Sequence, residues 1–413
     1  MLGGLVHWAI LRETVKLSRA DMTSVKDGKR EILFISALPA SHSNAIGVLT
    51  LRFADPFGDA WKHCYWDTNM GKSEVSNSIF LNSEIPRLWP SAAGRGFAAR
   101  FVERFELGWW HGDKLLASRK PQLQKMFQDT GFAYAAPLRN SEATRCREIL
   151  EVVQCPFVVH LWDIMDRSLN ADYAWLFSHA EHVFCLSEPM IALVKETAQC
   201  ETGLLSFVRP RSKVRASFSK KNSIAIGLIG FLAAYRDGLE LVAQATESLQ
   251  ANFSRVTVRY IGPPSQLAYI PESLRGLTEH VGFLVGDELD QALLACDCGL
   301  LPGPLLAPEQ DPRSRYSVPS RVADYLAVGL PVIATVHPNS ATSIFCSPLR
   351  SHGFFPVTDG AGIVGALKTL REERVWLNAS GQCESFFNQR CDANVALQEF
   401  YSIANKFLLH GVS

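Results

Sequence analysis

Residues Tyr316–Ala334 read YSVPSRVADYLAVGLPVIA, and their spacing predicts a turn, a helix, a stop and a buried strand. Pro319 stands in the turn, and Ser320 takes the capping position of a helix that starts at Arg321. Val322, Tyr325 and Leu326 fall at i, i+3 and i+4, so one side of that helix is apolar. Gly329 sits where a left-handed C-cap is expected, Pro331 bars further helix, and Val332-Ile333-Ala334 reads as a short buried strand. A helix start of this kind offers backbone N–H groups and the positive end of a dipole, which suits a phosphate. Asp324 lies one turn in, within reach of something polar bound there. The same spacing also fits an ordinary helix–strand unit of a parallel sheet.

The rest of the chain suits two such domains. It has 413 residues, 47% apolar and 20% charged, the balance of a soluble globular protein too long for one core. Lys+Arg and Asp+Glu are 41 each, so no global field draws in nucleic acid or membrane. The ten cysteines form no repeating frame, and the only close pair, Cys296 and Cys298, sits in the apolar run LLACDCGLL. Buried reduced thiols in a reducing compartment are expected, not a metal site or a disulfide framework. No run of eighteen apolar residues occurs, and the opening residues lack a basic leader and a cleavage site. We expect an N-terminal extension over 1–30 and a cytoplasmic protein.

Working outward, Glu31–Ser36 reads as a buried first strand, Ala37–Gly47 as a small-residue loop and Val48–Phe57 as a helix, the opening of a Rossmann-like domain. No G-x-G-x-x-G follows, so a dinucleotide is not indicated. Trp61–Thr68 supplies a second strand. Phe157-Val158-Val159 is a buried strand ending at His160, followed by a polar cluster with Asp163, where parallel sheets place their chemistry. His182–Ser187 is a further strand, with Ser187 and Pro189 in the first-turn positions of a helix. Residues 207–223 are polar, basic and proline-containing, and read as the linker between a first domain over 31–206 and a second over 224–390. The second opens with a strand ending at Gly230, and 391–410 is a last long helix.

Segment 87–125 stands apart, with eight Lys/Arg against three Asp/Glu and with Phe97, Phe101 and Phe105 at i+4 steps. Two readings stay open. One is a basic amphipathic surface meeting anionic lipid or a lipid-linked acceptor at the inner membrane face. The other is a helix whose aromatic stripe packs on the sheet.

The segment Pro319-Ser320-Arg321, Asp324, Tyr325-Leu326-Ala327, Gly329, Pro331-Val332-Ile333-Ala334 resembles the donor-site signature of the GT-B glycosyltransferases, in particular the retaining family 4 group. Val183, Ser187 and Met190 match another stretch of that pattern, and Gly230, Phe231 and Arg236 stand at the positions of its G-R-L-x-x-x-K loop. The resemblance implies an α/β chain of GT-B architecture, two Rossmann-like parallel-sheet domains facing a central cleft, with the last helix crossing back to the first domain. It implies transfer of a sugar from a nucleotide-diphosphate sugar to a saccharide or lipid-linked acceptor in polysaccharide or glycolipid assembly, retaining and without metal or cofactor. On that pattern His160, Arg236 and Arg321 act on the sugar and diphosphate. Gly230, Phe231, Phe283, Leu284, Tyr316, Ser317, Pro319, Ser320 and Asp324 bind the donor, and Asn44, Gly47 and Asp163 line the acceptor side.

Two departures matter. The family's paired glutamates become Tyr316 and Asp324, and the arginine after the loop glycine becomes Phe231. A GT-B-shaped protein without transfer activity and a nucleotide-sugar 2-epimerase are therefore the alternative readings.

Overall fold

The structure, a computed structural model, describes residues 31–37, 50, 53–54, 57, 61–65, 78–80, 120–121, 123–164, 166, 168–219 and 223–410. The extension 1–30, the helix expected over 48–57 apart from four positions, Asn44, Gly47 and most of 87–125 lie outside the described residues.

The short apolar runs of the sequence become strands, and those at the centre of the sheets, such as β4, β5 and β11, are buried on both faces, as parallel sheets covered by helices require. They are β1 (Glu31–Ser36), β2 (Trp61–Tyr65), β3 (Ser78–Phe80), β4 (Thr130–Ala136), β5 (Phe157–Leu161), β6 (His182–Cys185) and β7 (Thr202–Leu204). They continue as β8 (Ser223–Ile229), β9 (Arg255–Ile261), β10 (Thr278–Gly282), β11 (Cys298–Pro302), β12 (Val332–Thr335) and β13 (Phe354–Val357). The first seven run in the order β3-β2-β1-β4-β5-β6-β7 and the last six in the order β10-β9-β8-β11-β12-β13. Each sheet starts in its middle, grows to one side and then to the other, the doubly wound pattern of Rossmann-like folds.

The chain divides into two compact units, Met1–His160, Asn170–His182 and Tyr401–Ser413 in one, Leu161–Leu169 and Val183–Phe400 in the other. The first has Phe34, Phe53 and Tyr134 at its core, and Phe407 of the last helix (Gln398–His410) stacks on Phe132 at 5.7 Å between ring centroids. Residues 207–219, expected as a linker, run inside the second unit. There the Arg209 amide donates to the Cys391 carbonyl at 3.1 Å and the Ala216 amide to Val328 at 2.8 Å.

In the second unit the helix Arg321–Ala327 lies against β8 and β11. Its end is as the sequence foretells: Gly329 has φ +70°, with Gly329 and Leu330 amides donating to Leu326 and Tyr325 carbonyls, a Schellman stop. Tyr325 is fully buried. Only a glycine at 299 leaves room for its ring, since a Cβ there would lie 2.5 Å from it.

The β8–β11 ladder ends at the pair Leu228–Leu300, and beyond it the β11-facing edge of Ile229 has no strand partner among the described residues. The Tyr325 hydroxyl fills that gap. It accepts from the Ile229 amide at 3.1 Å and shares its proton between the carbonyls of Leu300 at 2.8 Å and Gly227 at 3.0 Å. Burial pushes the phenol well above its usual range, so it stays a neutral donor.

All ten cysteines are free and eight are buried. Burial raises the Cys296 thiol to about 12, so it is an inert packing group. Among the described residues no helix is long and apolar enough to cross a membrane.

Tyr325→Phe removes the hydroxyl while keeping the ring. It should lower unfolding free energy by about 1–3 kcal/mol, the cost of leaving buried backbone groups unpaired. Chemical denaturation of the two proteins checks this, and an unchanged midpoint contradicts it.

Candidate functional site

Doubly wound sheets bind ligands in the crevice outside the carboxyl ends of their strands, where the winding reverses. In the second unit that point lies between β8 and β11. The chain leaves β8 through Gly230 into the loop that ends at Arg236. That loop is pinned on several sides. Leu232 and Ala233 amides donate to Gln266 Oε1 at 2.9 and 3.2 Å, and Arg313 Nη1 donates to the Ala234 carbonyl at 2.7 Å. The Tyr260 hydroxyl donates to the Gly230 carbonyl at 3.0 Å.

Arg321 reaches the same place from its helix. Its Nη1 donates to the Ile229 carbonyl at 2.9 Å, and its guanidinium lies 4.3 Å from the centre of the Tyr235 ring. The residue is only 7% exposed, and no carboxylate among the described residues pairs with it. A buried cation without a counter-ion is costly. One held at the mouth of a sheet's ligand crevice is equipped for an anion.

The helix start itself is tighter than expected. Ser320 has helical backbone angles (φ −57°, ψ −29°) and makes no side-chain cap. The Val322 and Ala323 amides donate to the Pro319 and Ser320 carbonyls at 3.1 Å each. Two of the amides at this helix start are thus taken by the preceding turn, and the full positive charge there is that of the Arg321 side chain.

Asp324 is also occupied. Its Oδ1 lies 3.1 Å from Arg209 Nη1, while Arg209 Nη2 lies 2.7 Å from Asp290 Oδ1. Arg209 and Asp290 are buried. Burial works against the charge of Arg209, but the two carboxylates outweigh it and hold the guanidinium above its ordinary value. Asp324, expected to bind the donor, is thus engaged by an arginine from the stretch expected as a linker. Nothing in the sequence marks Arg209 among its basic neighbours.

Before that helix, the turn gathers hydroxyls and acids. Tyr316 is buried, its carbonyl accepts from Ser187 Oγ at 3.0 Å, and Arg315 lies over its ring. Ser187 stands at the start of the helix Glu188–Thr197 but makes no side-chain cap, because its hydroxyl goes to Tyr316 instead. Ser317 donates from Oγ to Asp163 Oδ1 at 2.5 Å, and its carbonyl accepts from Thr342 Oγ1 at 3.0 Å. Asp163, expected on the acceptor side, therefore lies with this turn. Burial raises its carboxyl above the ordinary 3.8, against the pull of the Ser317 and Ile164 hydrogen bonds and of Arg313. Arg313 is itself held by Asp311, Nη2 to Oδ2 at 2.9 Å.

The remaining expected residues are more dispersed. Gly230 forms the loop turn, Pro319 is buried in the turn, and Leu284 packs against the core. Phe231 and Phe283 are exposed at 36% and 46%. Arg236 points into solvent, with its Nε 3.6 Å from Glu240 Oε1, and lines a groove with Tyr269, Pro271 and Arg275. In the first unit, His160 is buried on β5 with Nδ1 2.6 Å from the Tyr134 hydroxyl. A second polar pair there was not foreseen: Ser36 Oγ lies 2.9 Å from His63 Nε2, and burial lowers His63 to about 3.

No known family model matches the chain, and no curated protein is similar to it in sequence. Among solved structures, the Anabaena protein HepE in complex with UDP and glucose is similar, with a TM-score of 0.61 at 13% identity, covering 91% of this chain and 100% of that one. Sucrose-phosphate synthase from Thermosynechococcus elongatus gives 0.59 at 13%, covering 92% and 99%. The lipopolysaccharide outer core galactosyltransferase WaaB gives 0.57 at 10%, covering 91% and 99%. At such low identity the likeness establishes the fold: both parallel sheets and their helices are those of the GT-B architecture.

Two substitutions probe these contacts. Arg209→Met leaves Asp290 and Asp324 without their cation and should cost about 3–5 kcal/mol, as for other broken buried pairs, read from thermal or denaturant unfolding. Asp163→Asn keeps the acceptor oxygen and removes the buried charge. Because the folded carboxyl titrates above its unfolded value of 3.8, the native state binds the extra proton, and wild-type stability falls as pH rises through that window. The variant should be the more stable of the two near neutral pH, with the difference shrinking as pH approaches 4, in denaturation across a pH series.

Proposed function

We propose that this protein is a glycosyltransferase that moves a sugar from a nucleotide-diphosphate sugar to a saccharide or lipid-linked acceptor. The observation that carries the reading is Arg321, a buried guanidinium with no carboxylate partner among the described residues, at the switch point of the second sheet. The fold supports it, since similar structures include sugar transferases, and HepE was crystallised with UDP and glucose and with UDP-glucose.

When the sugar–phosphate bond breaks, negative charge builds up on the departing diphosphate. A cation fixed where that charge develops lowers the barrier most. In this reading Arg321 holds the diphosphate at the carboxyl end of β8. Arg236 is the second cation. Its contact with Glu240 is a solvent-exposed pair worth under about 1 kcal/mol, so the side chain turns readily to a bound anion. The exposed Phe283 edge after β10 is assigned to the base. Retention of configuration, independence of metal, and a place in polysaccharide or glycolipid assembly belong to this proposal through the family resemblance.

One set of observations favours a non-catalytic binding protein instead. Tyr316 is buried where the family pattern has a glutamate, and Asp324 is engaged by Arg209. A thermal-shift screen against nucleoside diphosphates and their sugars tests binding, because a ligand of the folded state raises the melting point. Slow release of free nucleoside diphosphate from a bound donor supports the transferase. Binding without turnover across acceptors supports the second reading, and no shift with any nucleotide refutes both. Arg321→Ala should lower kcat/KM by about 2–4 kcal/mol of transition-state stabilisation. Wild-type turnover in a folded variant removes the residue from the site.

A further inference from the structure

We infer that Tyr235 is the positioning residue of this site: its ring holds the Arg321 guanidinium in one plane, so that the unused edge of the fork meets two oxygens of a phosphate or diphosphate at once. The inference rests on the nucleotide-sugar reading and adds to it a residue that no signature position supplies. Neither composition nor spacing marks Tyr235, which lies between two alanines and Arg236 in a loop with no charge of its own before it.

The geometry has three parts. Arg321 uses Nη1 on the Ile229 carbonyl at 2.9 Å, which fixes one corner of the guanidinium. The Tyr235 ring at 4.3 Å covers a face of it, which fixes the plane. A guanidinium carries five N–H donors along its edges, so a stacked face leaves the Nε and Nη2 edge available, and Arg321 makes no other hydrogen bond among the described residues. Planar bidentate capture of phosphate oxygens is what such a fork does best, and stacking on an aromatic ring lessens the freedom lost on binding.

The loop is built to keep the ring there. Gln266 holds the amides of Leu232 and Ala233, and Arg313 holds the carbonyl of Ala234, the residue before Tyr235. Arg313 is anchored by Asp311, so its charge is already matched and its role is to place the loop. Tyr235 is half-buried in that loop, where replacement leaves the sheet core intact.

The test uses the full chain with uridine, guanosine and adenosine diphosphates and inorganic pyrophosphate, titrated by calorimetry against wild type, Tyr235→Phe, Tyr235→Leu, Arg321→Met and the Tyr235→Leu/Arg321→Met pair. Tyr235→Phe keeps the ring and should bind as wild type does. Tyr235→Leu should lose about tenfold in affinity for pyrophosphate and for the preferred diphosphate, the scale of a partly desolvated cation–π contact. In the Arg321→Met background the same change should have no further effect, since the tyrosine acts only through the arginine. Melting curves confirm that each protein is folded. Where Arg321→Met does not fold, the comparison of Phe with Leu at 235 decides alone. Equal binding by Tyr235→Leu, or an undiminished loss in the Arg321→Met background, overturns this inference and leaves the nucleotide-sugar reading standing. Failure of wild type to bind any of these anions overturns both.

Discussion

The open end of β8 is the point on which the second unit depends. Past Leu228 the strand has no neighbour on its β11 side among the described residues, so the amide and carbonyl of Ile229 would be stranded in a dry interior. Buried backbone groups must be satisfied, and two side chains one helical turn apart do it. Tyr325 takes the amide and Arg321 takes the carbonyl. Residues four apart on a helix share a face, so a single short helix closes both bonds and fixes its own position against the sheet. The same act draws a guanidinium to the carboxyl end of β8, where the winding of the sheet reverses, so the contact that completes the fold also sets a cation there.

A second polar knot steadies the back of that helix. Arg209, with Asp290 and Asp324, ties the stretch after β7 to two helices of the second unit. Arg209 and Asp290 are buried and Asp324 is half-buried, so both carboxylates lean on one guanidinium fork, and removal of the cation would leave the Asp290 charge buried. The consequence for the site is that Asp324 serves structure first. The charge that the described residues present at the carboxyl end of β8 is cationic, that of Arg321 with the loop 230–236 folded around it.

Much of this was legible beforehand where local rules govern. The helix with its glycine stop, the buried strand after Pro331 and the parallel-sheet organisation follow from periodicity, breakers and short apolar runs, the GT-B architecture from the resemblance of the 319–334 segment, and the structure has them. Side-chain partners were not legible. Ser187 and Ser320 both stand at helix starts, yet neither caps, because Ser187 finds the Tyr316 carbonyl and the turn at 320 closes on its own backbone. Asp163 follows a strand in a place that its neighbours in sequence mark, but its partner Ser317 stands 154 positions away. Arg236, Arg313 and Arg321 look alike in sequence, yet one is in solvent, one is neutralised by Asp311 and one is buried with no carboxylate beside it among the described residues.

The sequence by itself determined where the helix at 321 begins and ends, that a buried strand follows Pro331, and that a polar turn precedes the helix. These features depend on neighbours a few residues away, and such neighbours are written in the chain. Only the tertiary structure decided which charges are paired, which tyrosine lies on Arg321 and which hydroxyl closes the gap beside β8. Those partners stand 86 to 115 positions apart in the cases of Tyr235 with Arg321 and Arg209 with Asp324, and distance in space between such residues is set by the packing of the whole unit.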